Sequence, residues 1–506
     1  MRTLPGLAAL LAAISICTQI GRADQPWSDH PDVSQIRHVL LISIDGMHAL
    51  DLQTYIANYP ASTLAKLNAS AVNYTNASST KPSDSFPAMV GMVTGGSPAV
   101  TGIYYDDAYN RALFPAADTA CAGTPGVRLD LKEGYDKDPN ALDAGGGLDP
   151  NKLPRDAKRR CAPVYPHDLL RVNTVFEVIR AARLHTAFSE KRPAYDILNG
   201  PSGRGVVDLY APEIAAGGNT ILKSLKATKN FDDLRVASIL NQIQGRNSTG
   251  TAFAPVPAIF GMNFQAINSA KKENVEPFSG YSDIFSTPSA ELLDALNHTD
   301  ESIGKMVTQL QKSWIYERTA IIITAKHGET PLDPLHRKLV LTTVIPGIAN
   351  GVQPGLVLQA TQKANALIWL KDQSKTADVV RAIEADPVNA DFGQILSGAS
   401  LKLLFPDPLA DPATPDIIVV TNTGVNFEPS LTSTTKAEHG GFGENDTHVP
   451  LMVSIPGTRA TTVQAPVQIT QIAPTILELL RLDPSDLDAV RLEGTAVLPR
   501  FDRQHH

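Results

Sequence analysis

His38-Val39-Leu40-Leu41-Ile42-Ser43-Ile44-Asp45 is an apolar, β-branched run that stops on a carboxylate followed by Gly46. Apolar residues at both alternating positions predict a strand buried on both faces, as in a parallel sheet. Three other runs share this character: TAIIITAK (319–326), DIIVV (416–420) and PLMVSI (450–455). Helical patterns lie between them. Residues 173–183 (NTVFEVIRAAR) set Val175, Phe176 and Ile179 on one face, and residues 289–310 space Leu292, Leu293, Leu296, Ile303, Val307 and Leu310 helically. Strands alternating with helices predict an α/β sandwich around a mainly parallel sheet.

In such sheets ligands bind at the carboxyl ends of strands, so the polar residues ending these runs are the first suspects. Asp45-Gly46 ends the first run, and by itself reads as a turn. Lys326-His327-Gly328-Glu329 ends the second. Glu438-His439-Gly440-Gly441 precedes the last. Between the first two lies Ser83-Asp84-Ser85-Phe86-Pro87-Ala88-Met89, where helical spacing resumes after a proline suited to a first turn. Ser85 then stands at a helix N-terminus, whose free N–H groups favour an anion. On local sequence it is equally a nucleophile or a plain cap.

As a set, these elements resemble the type I phosphodiesterase/nucleotide pyrophosphatase family of the alkaline-phosphatase superfamily. HVLLISIDGM is similar to its first metal-ligand strand, SFPAMVGMVTGG to its nucleophile helix, AIIITAKHG to its Asp-His-Gly strand, EHGGF to its last metal-binding histidine, and QIAPTILELL (471–480) to its C-terminal helix. The resemblance implies a three-layer sandwich with loop insertions. It also implies a hydrolase of phosphate esters, phosphodiesters or nucleotide pyrophosphates, acting through phospho-Ser85. Asp45, Ser85, His327 and His439 fall on ligand positions for divalent ions, usually zinc.

Three departures alter that expectation. Lys326 replaces the aspartate of the Asp-His pair. The Asp-x-x-x-His motif has only Asn263 and Ile267 at the nearest stretch, so Asn263 is expected to face substrate. Ala88 replaces the asparagine after Phe-Pro. An ammonium can present positive charge to a phosphoryl oxygen as a cation does. The expected site is therefore one divalent ion, with two as the alternative, held by Asp45, Ser85 and His327, with Lys326 as electrostatic clamp and His439 as ligand or proton donor. A catalytically weakened glycoprotein that keeps the fold for binding is the second reading. A sulfatase is a lesser one, since Met89 stands where a sulfatase maturation motif needs arginine.

Composition fits an exported protein. Residues 1–23 read as a signal peptide, with Arg2, an apolar 7–16 stretch and small residues Gly21 and Ala23. Its removal takes Arg2 and Arg22 and no acid, moving the formal charge from −8 to −10. That balance argues against a nucleic-acid partner, and no later segment is apolar enough to span a membrane. Cys121 and Cys161 remain to form one disulfide, with free thiols the alternative. Sequons occur at Asn68, Asn73, Asn76, Asn247, Asn297 and Asn445. The domain reading is a lead-in (24–35), one catalytic domain (36–482) and a tail (483–506). Within the domain, the Pro/Gly/Asp-rich stretch 112–165 is a surface insertion.

Overall fold

The structure, a computed structural model, describes residues 31–272, 280–283 and 286–502. The signal peptide and most of the lead-in lie outside the described residues. No helix among those described is long and apolar enough to cross a membrane.

The opening run forms the strand His38–Ile44 at the centre of an eight-stranded sheet. It is buried because parallel neighbours pair with it on both edges, Ile259–Phe264 on one and Thr319–Thr324 on the other. Beyond Ile259–Phe264 the parallel strands Ala187–Ser189 and Asp208–Tyr210 complete that side. On the other side Leu451–Ser454 is antiparallel to Thr319–Thr324 and to Ala71–Tyr74, and Thr461–Val463 forms the edge. The expected α/β architecture with a mainly parallel central sheet is the one found. Both expected helices are present. Val175–Ala181 is opened by a Thr174–Glu177 capping box, and Ala290–Lys312 is opened by Ser289.

The DIIVV run has a different fate. Ile417–Thr421 belongs to a separate antiparallel sheet with Val357–Gln362, Asn365–Leu370 and Phe392–Ser397. Successive side chains of Asn365–Leu370 point to opposite faces. Ala366, Ile368 and Leu370 pack into the lobe's own core with Ile345, Val379 and Ile383, while Leu367 and Trp369 pack against Tyr104 and Tyr105. The lobe is thus fastened to the loop that follows the Ser85 helix.

Two irregular segments also pack closely. In the insertion Cys121 is bonded to Cys161, and a small apolar cluster gathers Leu113, Leu129 and Val164. The stretch read as a tail carries the helix Asp488–Glu493 and sends Leu487, Ala489, Leu498 and Phe501 into the main core.

Candidate active site

Four neighbouring parallel strands deliver polar side chains to one edge of the sheet. Asp45 follows His38–Ile44, and Lys326 and His327 follow Thr319–Thr324. Asn263 lies in Ile259–Phe264 with Gln265 just beyond, and Glu190 and Lys191 follow Ala187–Ser189. This is the carboxyl edge, where open α/β sheets bind ligands. The buried helix Ser85–Thr94 begins beside it. Its N-cap is Asp84, whose Oδ2 accepts from the backbone N–H of Phe86 (3.2 Å) and of Asp106 (3.1 Å). Ser85 is the first residue of that helix, at its electropositive end.

Ser85 Oγ has two partners. Lys191 Nζ donates to it at 3.2 Å, and His327 Nε2 lies 3.2 Å away. His327 Nδ1 sits 2.9 Å from the carbonyl oxygen of Gly328. A carbonyl only accepts, so this contact assigns the proton to Nδ1 and leaves the Nε2 lone pair facing the serine hydroxyl. Burial, reinforced by His439, holds the imidazole well below the ordinary histidine pKa.

Asp45 is the counter-ion of the cluster. Its Oδ2 accepts from Lys191 Nζ (2.7 Å), Asn263 Nδ2 (3.1 Å) and Gln265 Nε2, with Lys326 Nζ at 3.3 Å. Burial pushes its carboxyl up, but the two ammonium groups outweigh that and hold it well below the usual range. Burial likewise pulls Lys191 down to about 8 against the attraction of Asp45.

Ser85, Asp45, His327 and His439 are therefore gathered in one place. The His439 ring stacks on that of His327 at 3.8 Å, with Nδ1 3.3 Å from Asp84 Oδ1. Gly440 makes this approach feasible. Its φ is +98°, and a Cβ there would stand 1.8 Å from the Tyr105 hydroxyl, which donates to the His439 carbonyl oxygen.

Two expectations need correction. Lys326 does not clamp at Ser85, because its ammonium donates to Glu190 Oε1 (3.0 Å) and the Tyr195 hydroxyl (3.0 Å) behind Asp45. Lys191 holds that position. Asn263 does not face substrate either: it is fully buried and its amide donates to Asp45, while Gln265 lines the cleft. Residues 190–193 thus supply the cation nearest the nucleophile. The only sequence signal was Glu190-Lys191 after a short apolar pair, too brief for a strand pattern to register.

Above Ser85 opens a cleft of about 290 Å³. Lys132, Lys191, Arg192, Lys272 and Lys363 line it. Most are paired: Arg192 with Glu133 (3.2 Å), and Lys272 and Lys363 with Glu438 (2.8 and 2.9 Å). A separate cavity of about 330 Å³ beside Tyr104, Tyr109 and Leu113 contains none of the groups around Ser85.

The two-ion cage implied by the resemblance does not fit these residues. The carboxylate that would hold one ion already faces two ammonium groups, and a doubly charged ion a few ångströms from each is repelled by several kcal/mol even at an effective dielectric of about 20. Asn263 and the core residue Ile267 supply neither charge nor imidazole to a second. One ion does fit beside His327 and His439. There, both carboxyl oxygens of Glu329, His439 Nδ1 and Asp84 Oδ1 are buried without a hydrogen-bond partner. Burial pushes the Glu329 carboxyl up to about 8.

Comparison with known proteins follows the same lines. A family model described as type I phosphodiesterase / nucleotide pyrophosphatase matches residues 39–124 and 218–442, more than half of the chain. Lys191 falls in the gap between the two matched stretches. No curated protein matches the chain in sequence. Among solved structures, murine ectonucleotide pyrophosphatase / phosphodiesterase 5 is similar at 14% identity and a TM-score of 0.55, over 88% of this chain and 96% of that one. An inactive form of the same protein is in complex with AMP, at 13% identity and a TM-score of 0.55, over 88% and 96%. The alkaline phosphatase PafA is similar at 13% identity and a TM-score of 0.59, over 89% and 96%. At these identities the structural likeness shows a shared fold.

Proposed function

The chain belongs to the type I phosphodiesterase / nucleotide pyrophosphatase family of phosphoric ester hydrolases, and from that premise we propose that it hydrolyses small phosphate esters, nucleotides among them, through Ser85. The observation that carries this reading is the serine hydroxyl held between an imidazole lone pair and an ammonium, at the floor of a cleft lined with cationic side chains.

In the reaction, Ser85 Oγ attacks phosphorus while His327 Nε2 takes its proton. The Oγ–P bond forms, the bond from phosphorus to the leaving oxygen breaks, and the imidazolium returns the proton to that oxygen. Water then attacks phospho-Ser85, giving its proton to the same imidazole, and as the P–Oγ bond breaks the imidazolium returns that proton to Oγ, freeing the phosphoryl product and regenerating the serine. Lys191 stands where charge develops and stabilises both the alkoxide and the phosphoryl oxygens. Asp45 keeps that ammonium in place. A divalent ion held by His327 and His439, zinc by the family's habit, would take up that imidazole lone pair and serve in place of the proton relay, as a Lewis acid toward the serine and the phosphoryl oxygen.

Export supports the same reading of the chain: the signal-like start, the Cys121–Cys161 disulfide and the six sequons fit an extracellular glycoprotein. The altered ligand set favours one competing reading, binding without turnover. Rates on p-nitrophenyl phosphate and bis-p-nitrophenyl phosphate decide between them. Wild type should exceed Ser85→Ala by about a thousandfold or more on at least one substrate. Equal rates would remove Ser85 from the mechanism and leave the binding reading.

A further inference from the structure

Glu329 is a buried carboxyl at the active site that the catalytic steps above do not use. It is 1% exposed, and neither of its oxygens has a hydrogen-bond partner. The nearby ammonium groups are committed elsewhere: Lys272 to Glu438, and Lys271 to Asp51, the His48 ring and the Gly46 carbonyl. A buried carboxylate without a partner is costly, and a bound cation is one of the few groups that relieves it. The two nearest candidate co-ligands are His327, whose ring comes within 3.8 Å of Glu329 Oε1, and His439, stacked on it. Ligand atoms of all three lie within 4.8 Å of one another. Tetrahedral zinc with bonds of about 2.0–2.1 Å places its ligand atoms about 3.3 Å apart, so the set closes when the His439 ring turns out of its stack on His327 and the Glu329 carboxyl rotates toward the ion.

Asp45 presents the opposite case. Its Oδ2 is enclosed by two ammonium groups and two amides. Its Oδ1 is unpartnered and 3.9 Å from His327 Nε2, so it competes for the same ion. Local charge disfavours it, because an ion at Asp45 meets Lys191 and Lys326 in direct contact, whereas Lys271 and Lys272 act on Glu329 only from beyond ion-pairing distance.

Resting on the reading of the cleft as a phosphoester site, we propose that His327, Glu329 and His439 bind a single divalent transition-metal ion, and that Asp45 is not its ligand. Asp45 is instead the counter-ion of a lysine pair that occupies the place of a second cation. Two imidazoles and a carboxylate suit zinc or cobalt and leave a fourth coordination position open.

Cobalt(II) tests this directly. The apoprotein of wild type, Glu329→Gln, Glu329→Asp and Asp45→Asn is titrated with Co²⁺, following visible absorption and bound metal per chain, with melting curves to confirm folding. Wild type should bind one ion. Glu329→Gln should weaken binding at least tenfold, since loss of even a supporting group costs a metal site about 10–100-fold. Glu329→Asp should recover part of it, and Asp45→Asn should keep one ion with an unchanged spectrum. No ion or two ions in wild type would overturn the proposal, as would Asp45→Asn losing the ion while Glu329→Gln keeps it. The wild-type stoichiometry decides even if a variant fails to fold. Absence of metal in a wild type that outpaces Ser85→Ala would sink this inference and leave the phosphoester reading standing.

Discussion

Lys191 reaches three acceptors at once, Asp45 Oδ2, Ser85 Oγ and Gln265 Oε1, which matches the three protons of an ammonium. The charge is fragile, because burial has brought its pKa down to about 8. The ammonium is present below that pH and lost above it. His327, held well below the ordinary histidine value, stays neutral at neutral pH. Turnover should therefore hold steady near neutrality and fall as pH rises through about 8. Lys191→Arg should move that fall to higher pH, since a guanidinium stays protonated. Lys191→Ala should lower kcat about 100–1000-fold, as removal of one transition-state donor does elsewhere. A pH–rate profile of the three proteins checks this, and an alkaline fall unchanged in Lys191→Arg would contradict it.

The Ser85–Thr94 helix converts a sequence signal into a positioned nucleophile. Asp84 caps it and, through Asp106 N–H, also ties it to the following loop. Asp84→Ala should cost about 0.5–2 kcal/mol of stability through the lost cap, read as a lower denaturant midpoint, together with a fall in kcat as Ser85 loses its fixed entry angle. A stability loss with kcat unchanged would show that the cap does not position the serine. This helix was legible in sequence because Phe86-Pro87 and the later apolar spacing are local signals. So were the long strands His38–Ile44 and Thr319–Thr324, whose burial on both faces demands apolar residues throughout. Ala187–Ser189 was not, since three residues carry no periodicity. Lys191, the group that follows it, carried no signal for the same reason. Lys326 was misassigned because sequence adjacency to His327 says nothing about direction: consecutive residues leaving a strand point to opposite sides.

At the scale of the molecule, the site is assembled from parts far apart in the chain. The antiparallel lobe grips Tyr104 and Tyr105, and the disulfide-closed insertion sends Lys132 and Glu133 to the rim of the cleft. DIIVV looked like a strand of the main sheet because apolar β-branched runs look alike wherever they are buried. Which sheet they join depends on partners remote in sequence. The Cys121–Cys161 bond closes a loop with a sequence separation of 40 residues, and a closure of that size stabilises by roughly 4 kcal/mol in the chain-entropy account. Cys121→Ser with Cys161→Ser should loosen the rim without touching the floor. KM should rise severalfold while kcat changes little, measured on the same p-nitrophenyl substrates. A collapse of kcat at constant KM would place the insertion nearer the chemistry than its contacts do.

The central claim is that Ser85 becomes phosphorylated during turnover. The direct measurement is to mix the protein with excess p-nitrophenyl substrate, quench in acid and map phosphorylation by peptide mass spectrometry. The account predicts a phosphoryl group on the peptide containing Ser85, absent from Ser85→Ala and lost when the wild type is left to exhaust its substrate. Steady turnover by wild type with no phosphoryl-peptide, and an equal rate in Ser85→Ala, would contradict it.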